Sequence, residues 1–336
     1  MENTNLKKLA QQLNLSISTV SKALRDSHEI GASTKIRVQA LAKNLNYQPN
    51  PNASSLRRQK SKTIAVVIPE IANNFFSLAI NGIESIAQEN DYHVLIYLTH
   101  EDFKKEVNIV KHLQSGRVGG VLMSLSMETK DYAHLFEMAQ NNIPIVFFDR
   151  ICHEIETAKV TTDDFTAGLL ATEHLIINGS KEIAFLSISD ILSIDNKRMQ
   201  GYLEALNKHN IQFNKSYSIK CTNNDSDNYL KIKKLLSSKN RPDAIFASVE
   251  KLAITVYEVC NDLKINIPKD LKIICFSNLA TAHLMSPSLS AITQPAFEMG
   301  REAASILIKH LDKNRTIIPN EHIIIKSTLV ARGSST

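Results

Sequence analysis

No apolar run in this chain of 336 residues approaches the ~20 consecutive residues that a membrane-spanning helix needs. The opening segment MENTNLKKLAQQLNLS has neither the apolar core nor the small-residue cleavage site of a secretory signal. A cytoplasmic protein with no membrane partner is therefore expected. The four cysteines, Cys152, Cys221, Cys260 and Cys275, are scattered and form no CxxC pair. They are read as reduced thiols, and neither a disulfide frame nor a zinc site is expected. Also absent are GxGxxG, GxxxxGK followed by Ser or Thr, HExxH and GxSxG. No cofactor or metal is therefore expected, and nothing argues for an enzyme.

What is present is ordinary for a globular protein. Hydrophobic residues make up 43% and charged residues 22%, in a chain long enough for two or three domains. The net charge of +5 is unevenly spread. Residues 1–62 carry eleven Lys/Arg and three acids, a net +8, and the remainder carries −3. A basic head on a nearly neutral body fits contact with a polyanion, and on charge alone it fits a solvated basic face equally well.

The first 46 residues read as three short helices, and no strand pattern appears before Thr63. Asn5 can cap the first, whose apolar stripe is Leu6, Leu9, Ala10 and Leu13. Asn14 stands where a tight turn wants a left-handed residue. Ser16 can cap the second, with Val20, Ala23 and Leu24 facing in. Gly31 or Ser33 opens the third, with Ile36 or Val38, Leu41, Ala42 and Leu45 facing in. Two helices joined by a tight turn make a helix-turn-helix, whose second helix enters the DNA major groove. Its outward residues are Ser16, Ile17, Ser18, Thr19, Ser21, Lys22 and Arg25. The hydroxyls suit phosphates or bases, Ile17 a thymine methyl, and Lys22 the guanine acceptors. Ala10 is small enough for the two helices to cross closely. A polar-surfaced helical bundle is the plainer reading of a Ser/Thr-rich helix. Turn, cap, charge and linker together favour DNA.

From Thr63 the texture changes. Apolar runs recur, such as TIAVVIPEI, YHVLIYLT, GGVLMSLS, IPIVFFDR, EIAFLSIS, DAIFASV and LKIICFS, with helical stretches such as FFSLAINGIESIAQEN and KLAITVYEVCNDL between them. Runs this apolar suit strands buried on both faces of a parallel sheet, and their number fits two α/β sheets. EHIIIKSTLVAR reads as closing strands. Between head and body, YQPNPNASSLRRQKSK is a linker by composition. Asn50-Pro51 followed by NASSLRR also reads as a cap, a first-turn proline and a helix too short to stand alone.

The segment LKKLAQQLNLSISTVSKALRDSHEIGASTKIRVQALAKNLNYQPNPNASSLR resembles the DNA-binding head of the lactose-repressor (LacI/GalR) family of bacterial transcription regulators. STVSKAL, TKIRVQALAKNLNYQPN and NASSL are its most specific parts. RVGGVLMSLS, IPIVFFDR, ATEHLIINGSKEIAFL, RMQGYLEAL and PSLSAITQPAFEMGREAA match the family's body in order and spacing. The resemblance covers nearly the whole chain. It implies a homodimer whose heads read a pseudo-palindromic, double-stranded operator. Residues 1–48 are the expected head, 49–61 a hinge helix that folds on DNA, and 62–336 an effector-binding and dimerisation body. That body is like a periplasmic sugar-binding protein, with two doubly wound parallel-sheet subdomains around a ligand cleft. The subdomains are expected at about 62–160 with 291–322, and 161–290 with 323–336.

Leu56 falls at the family's minor-groove wedge. An apolar wedge beside Arg57 and Arg58, which can grip phosphates, agrees with that chemistry. Asn5, Leu6, Thr34, Asn50 and Ala53 complete the expected DNA-facing set. In the cleft, the resemblance places Asn74, Phe75 and Phe76 at a ligand-stacking segment. It places Asp149 at a cleft carboxylate with Arg150 beside it, Arg198 at the arginine that grips the effector, and Gln294 at another lining position. The guanidinium fork suits hydroxyl or carboxylate ligands.

Two departures stand out. The family's GFDD-like turn is CFSN here, which leaves Ser277 and Asn278. Its ANDxxA segment is SVEKLA, with Val249 in place of asparagine. These changes alter the polar groups the pocket can satisfy, so a specific sugar or purine does not carry over. A small, sugar-like effector is expected, and the implied function is a ligand-controlled transcriptional repressor. The alternative is a solute-binding protein of the same body fold. It needs export and leaves residues 1–60 unexplained.

Overall fold

The computed structural model describes residues 5–24, 26–45, 47, 61–189, 191–313, 315 and 317–336. The chain divides into two compact units, residues 1–61 and 62–336.

In the head, α1 (Leu6–Leu13), α2 (Ile17–Leu24) and α3 (Ala32–Asn44) pack around Leu9, Ala10, Val20, Ala23, Val38 and Ala42. Each boundary has a local cause. Asn5 Oδ1 accepts the Lys8 amide at 3.0 Å and starts α1. Asn14 ends it in the left-handed region at φ 56°. Ser16 Oγ accepts the Thr19 amide at 3.0 Å and starts α2. Gly31 precedes α3. Of the two alternatives on α3, Val38 is buried and Ile36 is 66% exposed.

Among the described residues the body holds two six-stranded sheets. The first runs β11 (His322–Ile325), β5 (Lys159–Thr162), β4 (Ile145–Phe148), β3 (Gly120–Met123), β1 (Thr63–Ile68), β2 (His93–Leu98), all parallel. The second runs β12 (Thr328–Val330), β10 (Ser290–Thr293), β9 (Lys272–Phe276), β8 (Ala244–Ala247), β6 (Ile183–Ser187), β7 (Ser218–Lys220). Its β10–β12 pair alone is antiparallel. Helices α4 (Asn74–Glu89), α5 (Phe103–Leu113), α6 (Ala133–Gln140) and α11 (Ala296–Asp312) cover the first sheet. Helices α7 (Asp164–Ile177), α8 (Ser193–Lys208), α9 (Asp225–Leu236) and α10 (Glu250–Leu263) cover the second.

Successive residues of a strand point to opposite faces, so a strand covered on both sides is apolar throughout. Ile64, Val66 and Ile68 of β1 meet α4 and α11, while Ala65 and Val67 meet α5 and α6. In the second sheet Phe185 and Phe246 face α7 and α8, and Ala184 and Ile245 face α9 and α10. The α7–α8 pair crosses at glycine. A Cβ on Gly168 would stand 2.6 Å from the Arg198 carbonyl oxygen, so only a residue without one lets these helices approach so closely.

The chain passes between subdomains after residues 162, 293 and 325, against the expected 160, 290 and 322. The difference arises because β5, β10 and β11 each finish in their own sheet before the chain leaves it. Asp163 Oδ1 accepts the Ser327 amide at 2.8 Å and ties the first crossing to the third. Among the described residues no helix is long and apolar enough to cross a membrane, and no group of three or more His, Cys, Asp and Glu could hold a metal ion.

Candidate DNA-reading helix and effector cleft

On the head, Ser16, Ile17 and Ser18 are exposed at the start of α2, and Thr19, Ser21 and Lys22 are half-buried behind them. Ser16 Oγ lies 2.7 Å from Ser18 Oγ and 2.8 Å from Thr19 Oγ1, a hydroxyl cluster at a helix N-terminus. Lys22 is ion-paired with Glu29. Such exposed pairs contribute little, so the ammonium is easily released to a phosphate. Asn5 caps α1 with its side chain, and Leu6 and Thr34 are half-buried. Arg25, Asn50, Ala53, Leu56 and Arg57 lie outside the described residues, as does the expected hinge helix.

In the body, strand carboxyl ends and helix N-termini from both subdomains converge on a cavity of about 50 Å³. Open α/β sheets place their binding sites at this kind of position. Of the eight cleft residues expected from sequence, Phe75, Phe76, Asp149, Arg150, Arg198, Ser277 and Gln294 line it. Asn74 instead bonds a lining side chain, Glu250.

Asp149 leaves β4 in the left-handed region at φ 60°, a conformation that Asp tolerates better than most residues. Burial pushes its carboxyl up to about 6, against the opposing pull of Arg150 and Arg198. Gln294 Nε2 donates to Asp149 Oδ1 at 3.4 Å and to Thr162 Oγ1 at 3.2 Å.

Arg198 is buried on α8. Its Nε donates to Asp164 Oδ1 at 2.7 Å and its Nη1 donates to the Ser248 carbonyl at 2.7 Å. The guanidinium lies 3.7 Å from the Phe276 ring centroid, close enough for a cation–π contact. Burial raises the Asp164 carboxyl and Arg198 draws it back down. The orientation of Arg198 is therefore fixed by the protein before any ligand arrives. Arg150 Nη1 donates to Glu101 at 2.7 Å and 2.9 Å, and its Nε sits 3.9 Å from Asp149 Oδ2.

Glu250 escaped the sequence reading. It is the first residue of α10, accepts the Ser277 hydroxyl at 2.5 Å, and accepts Asn74 Nδ2 at 3.1 Å. It thus joins the two subdomains across the cleft. The one sequence signal was its place in SVEKLA, beside Val249. Asn73, Ile194, Val249, Phe276 and Asn278 complete the lining. Aromatic and aliphatic side chains set among many fixed donors and acceptors suit a small hydroxylated ligand.

The bacterial regulatory proteins of the lacI family match residues 5–50, and the periplasmic binding protein-like domain matches residues 172–335. Catabolite control protein A of Priestia megaterium is 28% identical over 312 residues, covering 93% of each chain. The ribose operon repressor of Haemophilus influenzae is 29% identical over 332 residues, 98% of each. The solved lac repressor dimer bound to operator and the anti-inducer ONPF shares the fold, with a TM-score of 0.84 at 19% identity over 99% of each chain. Helix-turn-helix head, two-sheet body and these matches agree: the chain belongs to the lacI family of bacterial regulatory proteins, and it is a ligand-responsive, DNA-binding transcriptional regulator.

Proposed function

We propose that this regulator is a cytoplasmic homodimeric repressor that performs no reaction, and that a sugar-like molecule in the body cleft sets its affinity for a pseudo-palindromic operator. One observation carries the reading. The Asp149–Gln294–Thr162 and Arg198–Asp164 contacts converge on one cavity at the ends of the parallel strands, in a chain that also carries an exposed hydroxyl cluster on its second head helix. Ser16, Ile17, Ser18, Thr19, Ser21, Lys22 and Arg25 are the groove-facing set, helped by Asn5, Leu6 and Thr34. Residues 49–61 form the hinge on DNA, with Asn50, Ala53, Leu56 and Arg57 at the minor groove. Asn74, Phe75, Phe76, Asp149, Arg150, Arg198, Ser277 and Gln294 contact the effector. The name of the ribose operon repressor, a full-length relative, supports a sugar.

A cavity of about 50 Å³ holds only a few waters, so entry of a sugar requires the subdomains to part and close again. The test is fluorescence anisotropy of the full chain on duplexes selected from a random pool, with and without pentoses, hexoses and disaccharides. A palindromic selected site, with one sugar changing its affinity at least tenfold, is expected. A selected site without two-fold symmetry would remove the dimeric reading, and indifference to every sugar would remove the effector class.

A further inference from the structure

Two arginines line the cleft, and each already has a buried carboxylate partner inside the protein. Arg198 is held by Asp164 at 2.7 Å and Arg150 by Glu101 at 2.7 Å. Neither guanidinium offers an uncompensated positive charge to a ligand. Asp149 and Glu250 also line the cavity, and together they leave two carboxylates in excess. Beyond the lining, Glu70 acts on Arg150, the buried Asp195 pairs its charge with Arg198, and Lys197 acts on Asp164, two acids against one base, so the negative excess stands.

Glu250 is the more exposed of the pair to an incoming molecule. It is half-buried, and both its hydrogen-bond donors, the Ser277 hydroxyl and the Asn74 amide, are neutral. Among the described residues it forms no ion pair. A second acceptor lines the same wall. Asn278 donates Nδ2 to the Gln294 carbonyl at 2.7 Å, while its Oδ1 is buried with no hydrogen-bond partner. A buried acceptor without a donor is costly, and a partly desolvated carboxylate gains from a counter-charge. Across the cavity Arg150 Nε and Arg198 Nη2 are buried donors with no hydrogen-bond partner, which suit hydroxyl oxygens.

We propose that the effector is an amino sugar, a hydroxylated ring bearing one ammonium group, and that Glu250 is the counter-ion that selects it. The proposal rests on the cleft being the effector site. An ammonium brings donors to Glu250 and to Asn278 Oδ1 together with the charge the wall lacks, while the ring hydroxyls meet Arg150 and Gln294. A sugar phosphate or uronate meets two excess carboxylates and arginines whose charge Glu101 and Asp164 already balance, so the cleft disfavours it.

The test is titration calorimetry of the full chain with glucose, galactose and mannose, each beside its 2-amino, 6-phosphate and uronate forms. One hexosamine should bind at least about tenfold more tightly than its neutral parent, an effect of the size expected for a partly desolvated ion pair. Glu250→Gln keeps a side chain of the same shape and removes the charge, and it should bring the ratio of hexosamine to parent affinity down to about one. Thermal melting of the variant checks that it folds. A phosphate or uronate that binds as well as its parent overturns the proposal, and so does a hexosamine affinity unchanged in Glu250→Gln. A neutral hexose that binds best and is lost in Gln294→Ala retains the cleft as the effector site and overturns this inference alone. A panel with no ligand sensitive to Gln294→Ala overturns both.

Discussion

Replacing Gly168 by alanine tests whether helix packing in the second subdomain holds the arginine of the cleft in place. On a free helix the change is favourable by about 1 kcal/mol, because glycine is the poorer helix former. In this body the added Cβ would meet the Arg198 carbonyl oxygen at 2.6 Å and the Arg198 Cα at 3.0 Å. Ordinary contact begins at 3.4 Å, so α8 must retreat by about 0.8 Å. The obstructing atoms are backbone and have no rotamer in which to escape. Forcing a methyl group into a close-packed crossing costs about 1–3 kcal/mol. The retreat also stretches the 2.7 Å pair between Arg198 and Asp164, both buried. Stretching a buried pair adds to the loss because the Asp164 charge has little water to turn to.

The net expectation for Gly168→Ala is a destabilisation of about 2 kcal/mol, or a fall in Tm of about 4–8 °C. A thermal melt of the full chain followed by far-ultraviolet circular dichroism measures it. The two effects have opposite signs, which makes the outcome decisive. A Tm equal to or above that of the unsubstituted protein would show that helix propensity governs, and that α8 is not pressed against α7 as described.

Three further expectations follow from charge and burial. For the Asp149 carboxyl, raised by burial from 3.8 to about 6, the folded state holds the proton more tightly than the unfolded state. Ionisation therefore costs the folded state about 3 kcal/mol, lost as pH rises from about 4 to 6. Asp149→Asn should flatten that part of the urea-unfolding profile, and an unchanged difference between pH 4 and pH 7 would contradict the burial argument. Operator affinity should fall with salt at a log–log slope of about −5 to −9, for about six to ten phosphate contacts per dimer. A slope near zero would exclude the basic head as the DNA reader. Leu56→Ala should weaken operator binding and reduce bending in a circular-permutation gel assay without changing the affinity for effector, and unchanged bending would remove the wedge.

The head was legible in the sequence because its determinants are local. Asn5, Asn14 and Ser16 set helix ends through bonds to residues at most four positions away. The choice between Ile36 and Val38 was not local, since it depends on which side of α3 meets α1 and α2. In the body the long apolar strands announced themselves. The strands β5, β7 and β10 did not, because KVTT, SIK and SAIT are short and at least half polar. Lys159 is buried in β5, where its ammonium donates to the carbonyls of Ile155 and Thr157. The arginine and aspartate of the cleft were placed by motif. Glu250 was not, because its contacts with Asn74 and Ser277 exist only once two subdomains have folded and met.

The cleft and the chain crossings occupy the same place, and this bears on how a ligand can act. Gln294 follows β10, Thr162 ends β5, and the Gln294 amide joins Thr162 to Asp149. Asp163, next in the chain, holds Ser327 at the third crossing. A ligand that engages Asp149 or Gln294 therefore acts on the contacts that fix how the subdomains meet. It shifts their closure only by the difference in its affinity for the two states, about 1–3 kcal/mol in typical couplings. Glu250 supplies a second point of action at the mouth, independent of the crossings. A ligand that takes Glu250 away from Asn74 replaces the protein's own tie between subdomains with itself. A ligand that leaves both this tie and the crossing contacts intact can bind as tightly and still leave closure unmoved, because equal affinity for both states shifts nothing. The response of this regulator thus depends on which polar contacts the ligand takes over, more than on how strongly it is held.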